Sequence, residues 1–252
     1  MKNKQQLYGI APVIEALRAR ARKVESITIA EGVQSSRLRG LLSLAKERQV
    51  IVHRVPRAAL SKLVDENANH QGVVAVVASA NYADANELLE SLSKKDAPLV
   101  VALDGVEDPR NLGAIIRTVE CVGADGVFIP ERRAVGLTDV VAKASAGAVE
   151  HVAVARVVNM SRLIEDLKKR NVWTIGTSAD AKTNYTDWDW TLPCAIVLGS
   201  EGEGLHRLVR ERCDALVRIP ILGKIESLNV SVAAGVILYE TLRQRTLKRV
   251  GS

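Results

Sequence analysis

The sequence predicts an α/β protein: a parallel-sheet domain from residue 98 onward, preceded by a small α/β/α domain. Two observations carry this expectation. From Leu99 on, short β-rich runs alternate with amphipathic helical patterns, as in a parallel sheet covered on both faces. The charge is also divided. Residues 1–80 hold 13 Lys and Arg against 6 Asp and Glu, and the remainder holds 22 against 23. A basic module joined to a near-neutral one is expected, with boundaries at 1–80, a linker at 81–97 and the second domain at 98–252.

In the first domain, Pro12 to Arg20 reads as a helix with Val13, Ile14 and Leu17 on one face and Pro in its first turn. Val24 to Ile29 alternates as a strand. Ser35 or Ser36 caps a second helix whose apolar face is Leu38, Leu41, Leu42 and Ala45. Val50 to Val55 is a strand, Arg57 to Asn67 a short helix, and Val73 to Ala78 a continuous apolar run of the buried-strand kind. In the linker, Asp84 with Glu87 forms a capping-box-like start to a polar helix, 84–95, expected to bridge the domains and form no core.

In the second domain, strands are expected at 99–103, 126–129, 151–155, 172–176, 194–198 and 215–219. Helices are expected at 109–122, 138–148, 160–170, 204–212 and 228–245. No internal repeat or low-complexity tract interrupts them.

The composition, 47% hydrophobic and 25% charged over 252 residues, is that of a soluble globular chain. No apolar run approaches a membrane span, and the opening Met-Lys-Asn-Lys-Gln-Gln lacks the apolar core of a signal peptide. Cys121, Cys194 and Cys213 are far apart, without CxxC spacing. They suggest buried thiols in a reducing cytoplasm, with neither zinc nor disulfides. His53, His70, His151 and His206 lack metal-ligand spacing, and no role or metal is assigned to them. Charge alone leaves two readings of the first domain open, a polyanion-binding module and a solvated basic surface.

Three stretches lie where strands give way to loops or helices: Asp108 to Arg117, Leu198 to Gly204 and Ile219 to Ser231. They gather an Asn, arginines, a Glu and a Ser-x-Asn pair at strand ends, where open α/β sheets bind ligands. Glycines 199, 202 and 204 run GxxGxG, and Glu201 and Glu203 would repel a pyrophosphate, which argues against a dinucleotide loop. No Walker motif occurs, and no glycine-rich loop follows Leu99–Leu103, which argues against the common Rossmann-type methyltransferase.

In the helix 109–122, Asp108 is the expected cap and Leu112, Ile115, Ile116 and Val119 the buried stripe. Arg117 then points away from that stripe, alongside Arg110. Solvated arginines and a face toward a partner or an RNA phosphate both fit. Glu201 reads either as a turn acid or as a functional group at the sheet edge, and Ser227 either as an N-cap or as a site residue. Trp188 and Trp190 read as anchors of their loop ahead of flanking a cofactor or stacking a base.

These three stretches, in this order, resemble the SpoU/TrmH family of RNA ribose 2′-O-methyltransferases. Within it the resemblance is to bacterial enzymes acting on a guanosine of 23S ribosomal RNA. Residues 5–80, opening Tyr8-Gly-Ile and closing His70-Gln-Gly-Val-Val, look like the family's L30e-like substrate-binding domain.

The resemblance implies a catalytic domain with a deep trefoil knot, S-adenosylmethionine as cofactor, and a homodimer completing each site. It implies cofactor contacts at Thr177, Gly199, Ile219 and Leu228. It assigns Arg117 to the ribose hydroxyl or its adjacent phosphate, with Asn111, Glu201, Ser227 and Asn229 orienting the ribose, and Glu226 adding charge that tunes substrate choice. A tRNA substrate, or a non-catalytic RNA-binding assembly factor, are the alternatives.

Overall fold

The computed structural model describes residues 4–64 and 69–250. The chain divides into two compact units, Met1–Asn81 with Gly136–His151, and Tyr82–Val135 with Val152–Ser252.

The first unit contains β1 (Lys4–Tyr8), α1 (Ile10–Ala19), β2 (Val24–Ala30), α2 (Ser35–Glu47), β3 (Ile51–Val55), α3 (Arg57–Ser61) and β4 (Val73–Ala78). Its sheet has the order β1-β4-β2-β3, with β4 antiparallel to both neighbours and β2 parallel to β3. Leu38, Leu41 and Ala45 of α2 are buried as the spacing requires. The helix expected over 57–67 ends at Ser61, and residues 65–68 lie outside the described residues.

The second unit contains α4 (Ala85–Leu92), β5 (Leu99–Asp104), α5 (Pro109–Cys121) and β6 (Gly126–Pro130). The chain then leaves it for α6 (Asp139–Ala144) and a 3-10 turn (Ala148–Glu150), which pack with the first unit. It returns as β7 (Val154–Val157), α7 (Met160–Lys168), β8 (Trp173–Thr177), β9 (Thr183–Asn184), β10 (Cys194–Gly199), α8 (Arg207–Arg212), β11 (Ala215–Arg218) and α9 (Val230–Val250). The sheet is parallel throughout, in the order β7-β6-β5-β10-β8-β11-β9. The central strands β5 and β10 are buried along their whole length, which explains their unbroken apolar runs.

Several expectations differ from the structure, each for a physical reason. Residues 136–151, read as part of the second domain, belong to the first unit. Within that unit Arg22 donates to both carboxylate oxygens of Glu150, at 3.1 and 2.5 Å, with both side chains 2% exposed. Arg22 also donates to Gln5 Oε1 and the Ala78 carbonyl, so four of the buried guanidinium's five N–H groups are bonded. The helix expected at 138–148 is shorter, because Ala146 and Gly147 take left-handed backbone. At Gly147 a Cβ would meet Glu15 of α1 at 2.6 Å.

The helix expected to bridge is core. Asp84 caps α4 through the amides of Asn86 and Glu87, and Leu88, Leu89 and Leu92 pack with Phe128, Ala155 and Leu163. Gly126 is needed there, since a Cβ would lie 2.9 Å from Leu88. The strand expected at 151–155 begins only at Val154, and β1 and β9 have no counterpart in the sequence reading. Cys194 is buried and Cys213 partly so, and burial pushes both thiols up to about 12, while Cys121 is exposed. No helix is long and apolar enough to cross a membrane.

Candidate active site

The carboxyl ends of β5, β8, β10 and β11 converge on one edge of the second unit's sheet. In register, Gly199 at the end of β10 lies opposite Asp104 at the end of β5. Three chain segments meet here. Asp108 caps α5 by accepting from the Arg110 amide at 2.6 Å, and so fixes Asn111 in the first turn. Asn111 donates from Nδ2 to Glu201 Oε1 in the loop after β10. Its Oδ1 accepts from Asn229 Nδ2 at 3.1 Å. Asn229 in turn takes hydrogen bonds from the Ser231 amide at 2.9 Å, the Ser231 hydroxyl at 2.6 Å and the Val232 amide at 3.4 Å.

Asn229 is therefore the cap of α9, and Ser227, the expected candidate for that role, is two residues upstream with its side chain exposed. One polar chain, Glu201–Asn111–Asn229, ties together residues 90 and 118 positions apart.

Beside it lies a cavity of about 440 Å³. All four residues expected to contact a cofactor, Thr177, Gly199, Ile219 and Leu228, line it, together with Glu201, Ser227 and Glu226. Gly199 has no alternative: a Cβ there would run into the Gly204 backbone, which pairs with Ser200 in both directions at 3.0 and 3.1 Å. Among the described residues the segment 219–228 forms no hydrogen bond within the chain, so its peptide groups remain available to a ligand.

The cavity's charge is lopsided. Asp180, Glu201, Glu203 and Glu226 line it, and Arg210 is the one cation among its lining residues. Arg210 grips Asp180 through both carboxylate oxygens, at 2.9 and 2.8 Å. Those bonds, with one from Ser178, hold the Asp180 carboxyl below the usual range.

Arg117 is not brought into the cluster. It sits six residues beyond Asn111, about 9 Å along the α5 axis, exposed and, among the described residues, without a partner. Trp190 is fully buried, with its indole N–H on the Tyr185 carbonyl, and Trp188 packs edge-on against Trp173 at 5.9 Å. Neither lines the cavity, so the loop-anchor reading stands.

Sequence reasoning missed His206. Its ring Nδ1 is 3.0 Å from Asp104 Oδ2, which also accepts the His206 amide at 2.8 Å. Only the pairing of β5 with β10 brings the two together, and no local spacing announces it. No group of three or more potential metal ligands occurs among the described residues.

This geometry has known relatives. The SpoU rRNA Methylase family matches residues 98–239, and the RNA 2′-O ribose methyltransferase substrate-binding family matches residues 6–83. The chain belongs to the SpoU/TrmH methyltransferase family. It is 46% identical over 240 residues, 95% of each chain, to YacO of Bacillus subtilis (strain 168), named for the TrmH family of tRNA/rRNA methyltransferases. A solved RNA 2′-O ribose methyltransferase superposes with a TM-score of 0.80 at 28% identity, covering 97% of this chain and 90% of the other. An rRNA methyltransferase from Sinorhizobium meliloti, solved with AdoMet bound, gives a TM-score of 0.77 at 26% identity over 95% and 87% of the two chains.

Proposed function

We propose that this SpoU/TrmH methyltransferase transfers a methyl group from S-adenosylmethionine to the ribose 2′-hydroxyl of a guanosine in 23S ribosomal RNA. The observation that carries the reading is the Glu201–Asn111–Asn229 chain set against a cavity lined by Thr177, Gly199, Ile219 and Leu228.

The residues present fit the cofactor. The glycine cradle at Gly199 and the unpaired peptide groups of 219–228 suit an adenine edge that both donates and accepts. The apolar walls from Leu198, Leu205 and Val217 suit its faces, and the carboxylates suit a sulfonium. When bound, S-adenosylmethionine supplies an electrophilic methyl group on a positively charged sulfur.

The chain's own residues have the remaining work. A ribose hydroxyl is a weak nucleophile near neutral pH. Its oxygen forms the new bond to the methyl carbon as the carbon–sulfur bond breaks, and its proton must leave. Asn111 and Asn229 fix Glu201 at the cavity wall, so that the ribose is oriented before the reaction, the step for which positioning gives most. Arg117 holds the phosphate next to the ribose through its planar fork, and that phosphate takes the proton. A free guanidinium is too weak an acid to serve as base itself near pH 7.

Arg117 is distant from its own Asn111, so it serves the site of a second copy in a homodimer. Val232 and Tyr239, seven residues apart on one face of α9 and 51% and 53% exposed, offer an apolar surface for that contact. The family's trefoil knot belongs to the same reading, with the segment 219–228 as the threaded part.

The basic first unit is the RNA-holding part. Arg37, Arg39 and Lys46 are exposed on α2, a basic face suited to RNA phosphates. Nucleoside analysis of cellular RNA, with and without this gene, tests the assignment. Loss of one 2′-O-methylguanosine from large-subunit RNA is expected, and loss from tRNA alone overturns the substrate.

A further inference from the structure

A second cavity, of about 330 Å³, opens at the carboxyl ends of β5 and β10 and shares Ser200 to Glu203 with the first. We propose that this second cavity holds the base of the nucleotide being methylated and selects guanine, with Glu107, Arg133 and His206 as the residues that read it. The proposal rests on the reading of a guanosine ribose as the methyl acceptor.

Position is the first argument. Glu201 lines both cavities. A ribose held at Glu201 has the methyl donor on one side and room for its base on the other.

Chemistry is the second. Guanine offers N1–H and its exocyclic amine as adjacent donors, and O6 and N7 as adjacent acceptors. A carboxylate answers the first pair, and a guanidinium answers the second with two parallel hydrogen bonds. Glu107 and Arg133 both line this cavity. Adenine, with an acceptor at N1 and a donor at N6, would set acceptor against carboxylate and donor against guanidinium. A phosphate is a poor occupant, because Glu107, Glu201 and Glu203 would all face it.

The third argument is availability. Glu107 and Arg133 share the cavity, yet among the described residues neither side chain makes a hydrogen bond or an ion pair. Arg133 also takes left-handed backbone, φ 57, where a glycine would be at ease. Such an outlier beside a site is a pointer to function.

His206 is held from behind. Asp104, 4% exposed, accepts its amide at 2.8 Å and has Oδ2 3.0 Å from its Nδ1, while Nε2 is the other polar atom of a ring that lines the cavity. Gly105, at φ 92, lies against the same ring; a Cβ there would be 3.5 Å from His206 Cε1. With its proton on Nδ1, beside the Asp104 carboxylate, the ring accepts at Nε2 and answers the second hydrogen of the guanine amine.

The test uses RNA oligonucleotides spanning the methylated position, carrying guanosine, inosine or adenosine there. Inosine lacks only the 2-amine. Methyl transfer is measured with S-adenosylmethionine, and equilibrium binding with S-adenosylhomocysteine present, for wild type, Glu107→Gln, Arg133→Gln, Arg133→Lys and His206→Ala. Wild type should prefer guanosine to inosine and adenosine by roughly tenfold or more. Arg133→Gln should lose roughly tenfold or more in kcat/KM on guanosine RNA, and Arg133→Lys, which lacks the fork, should not restore it. Glu107→Gln and His206→Ala should shrink the guanosine-over-inosine preference. Cofactor affinity should stay unchanged in all four, since none of these residues lines the first cavity. If wild type makes 2′-O-methylguanosine and every variant keeps the full base preference, the pocket assignment is wrong. If wild type makes a different 2′-O-methylnucleoside, the guanosine reading fails and this proposal with it.

Discussion

At the scale of single residues, the site is a set of side chains whose hydrogen-bonding capacity is fixed from behind. Asn111 donates to Glu201 and accepts from Asn229, so both ends of its amide are held and it orients each neighbour. Arg117 is the opposite case, a cation with no partner among the described residues. We predict that Arg117→Ala leaves the protein folded, with unchanged affinity for S-adenosylmethionine, and lowers methyl transfer by roughly 10²-fold or more. Near-normal turnover in a single-turnover assay would remove its assigned role.

His70 gives a second residue-scale prediction. It is 8% exposed, its Nδ1 accepts the Gly72 amide at 3.0 Å, and burial, with Arg57 and Lys143 nearby, holds its pKa below the ordinary value. The folded state therefore keeps the ring neutral, while the unfolded chain takes a proton as pH falls past about 6.5. The stability this neutral ring contributes is whole above that value and is lost below it. Thermal unfolding from pH 8 to pH 5 should show a drop that His70→Asn reduces; identical pH profiles for the two proteins would contradict the account.

At the scale of elements, most helices and central strands were legible because their patterning is local. The α5 stripe, the Asp108 and Asp84 caps and the apolar runs of β5 and β10 all follow from spacing and propensity. The misses share a cause: their stabilising partners are remote in sequence. β1, Lys-Gln-Gln-Leu-Tyr, lies at a sheet edge with Lys4 and Gln6 exposed, so it has no apolar run to read. α6 and its 3-10 turn pack with the first unit through a pair 128 residues apart. The Asp104–His206 bond spans 102 residues, so the histidine carries no local signal.

The Arg22–Glu150 pair supplies the prediction at this scale. Removing one partner leaves a buried charge uncompensated, at a cost of about 3–5 kcal/mol. Arg22→Met should lower stability by that order in urea unfolding. Arg22→Met with Glu150→Leu should recover much of it, and an undiminished loss in the double variant would assign the effect to packing.

At the scale of the whole molecule, the basic excess read from the sequence falls in the first compact unit, which also takes in Gly136–His151. Because Gly136–His151 packs with the first unit, cutting the chain at residue 80 would strand Glu150 and would not isolate an intact catalytic part. Charge reversal is the cleaner probe. Arg37→Glu with Arg39→Glu on α2 should weaken RNA binding and flatten its dependence on salt, while cofactor binding stays unchanged. An unaltered salt slope would place the RNA elsewhere.

The acid-lined cavity makes a further charge argument. S-adenosylmethionine carries one more positive charge than its demethylated product, and four carboxylates against Arg210 line the site. The cofactor should therefore bind more tightly than the product, by a margin that narrows in high salt because Glu201 and Glu203 are exposed. Calorimetric titration of both ligands at low and high salt reads this directly, and equal affinities would show that the carboxylates do not face the sulfur.

The central claim is methyl transfer to a ribose hydroxyl of RNA, and one measurement tests it most directly. The purified protein is incubated with methyl-labelled S-adenosylmethionine and with RNA and ribosomal particles from cells lacking the gene, and the RNA is then digested to nucleosides. Label recovered as 2′-O-methylguanosine from large-subunit RNA is the predicted result. Label on a base, or no label in any RNA from a protein that binds the cofactor, would contradict the account.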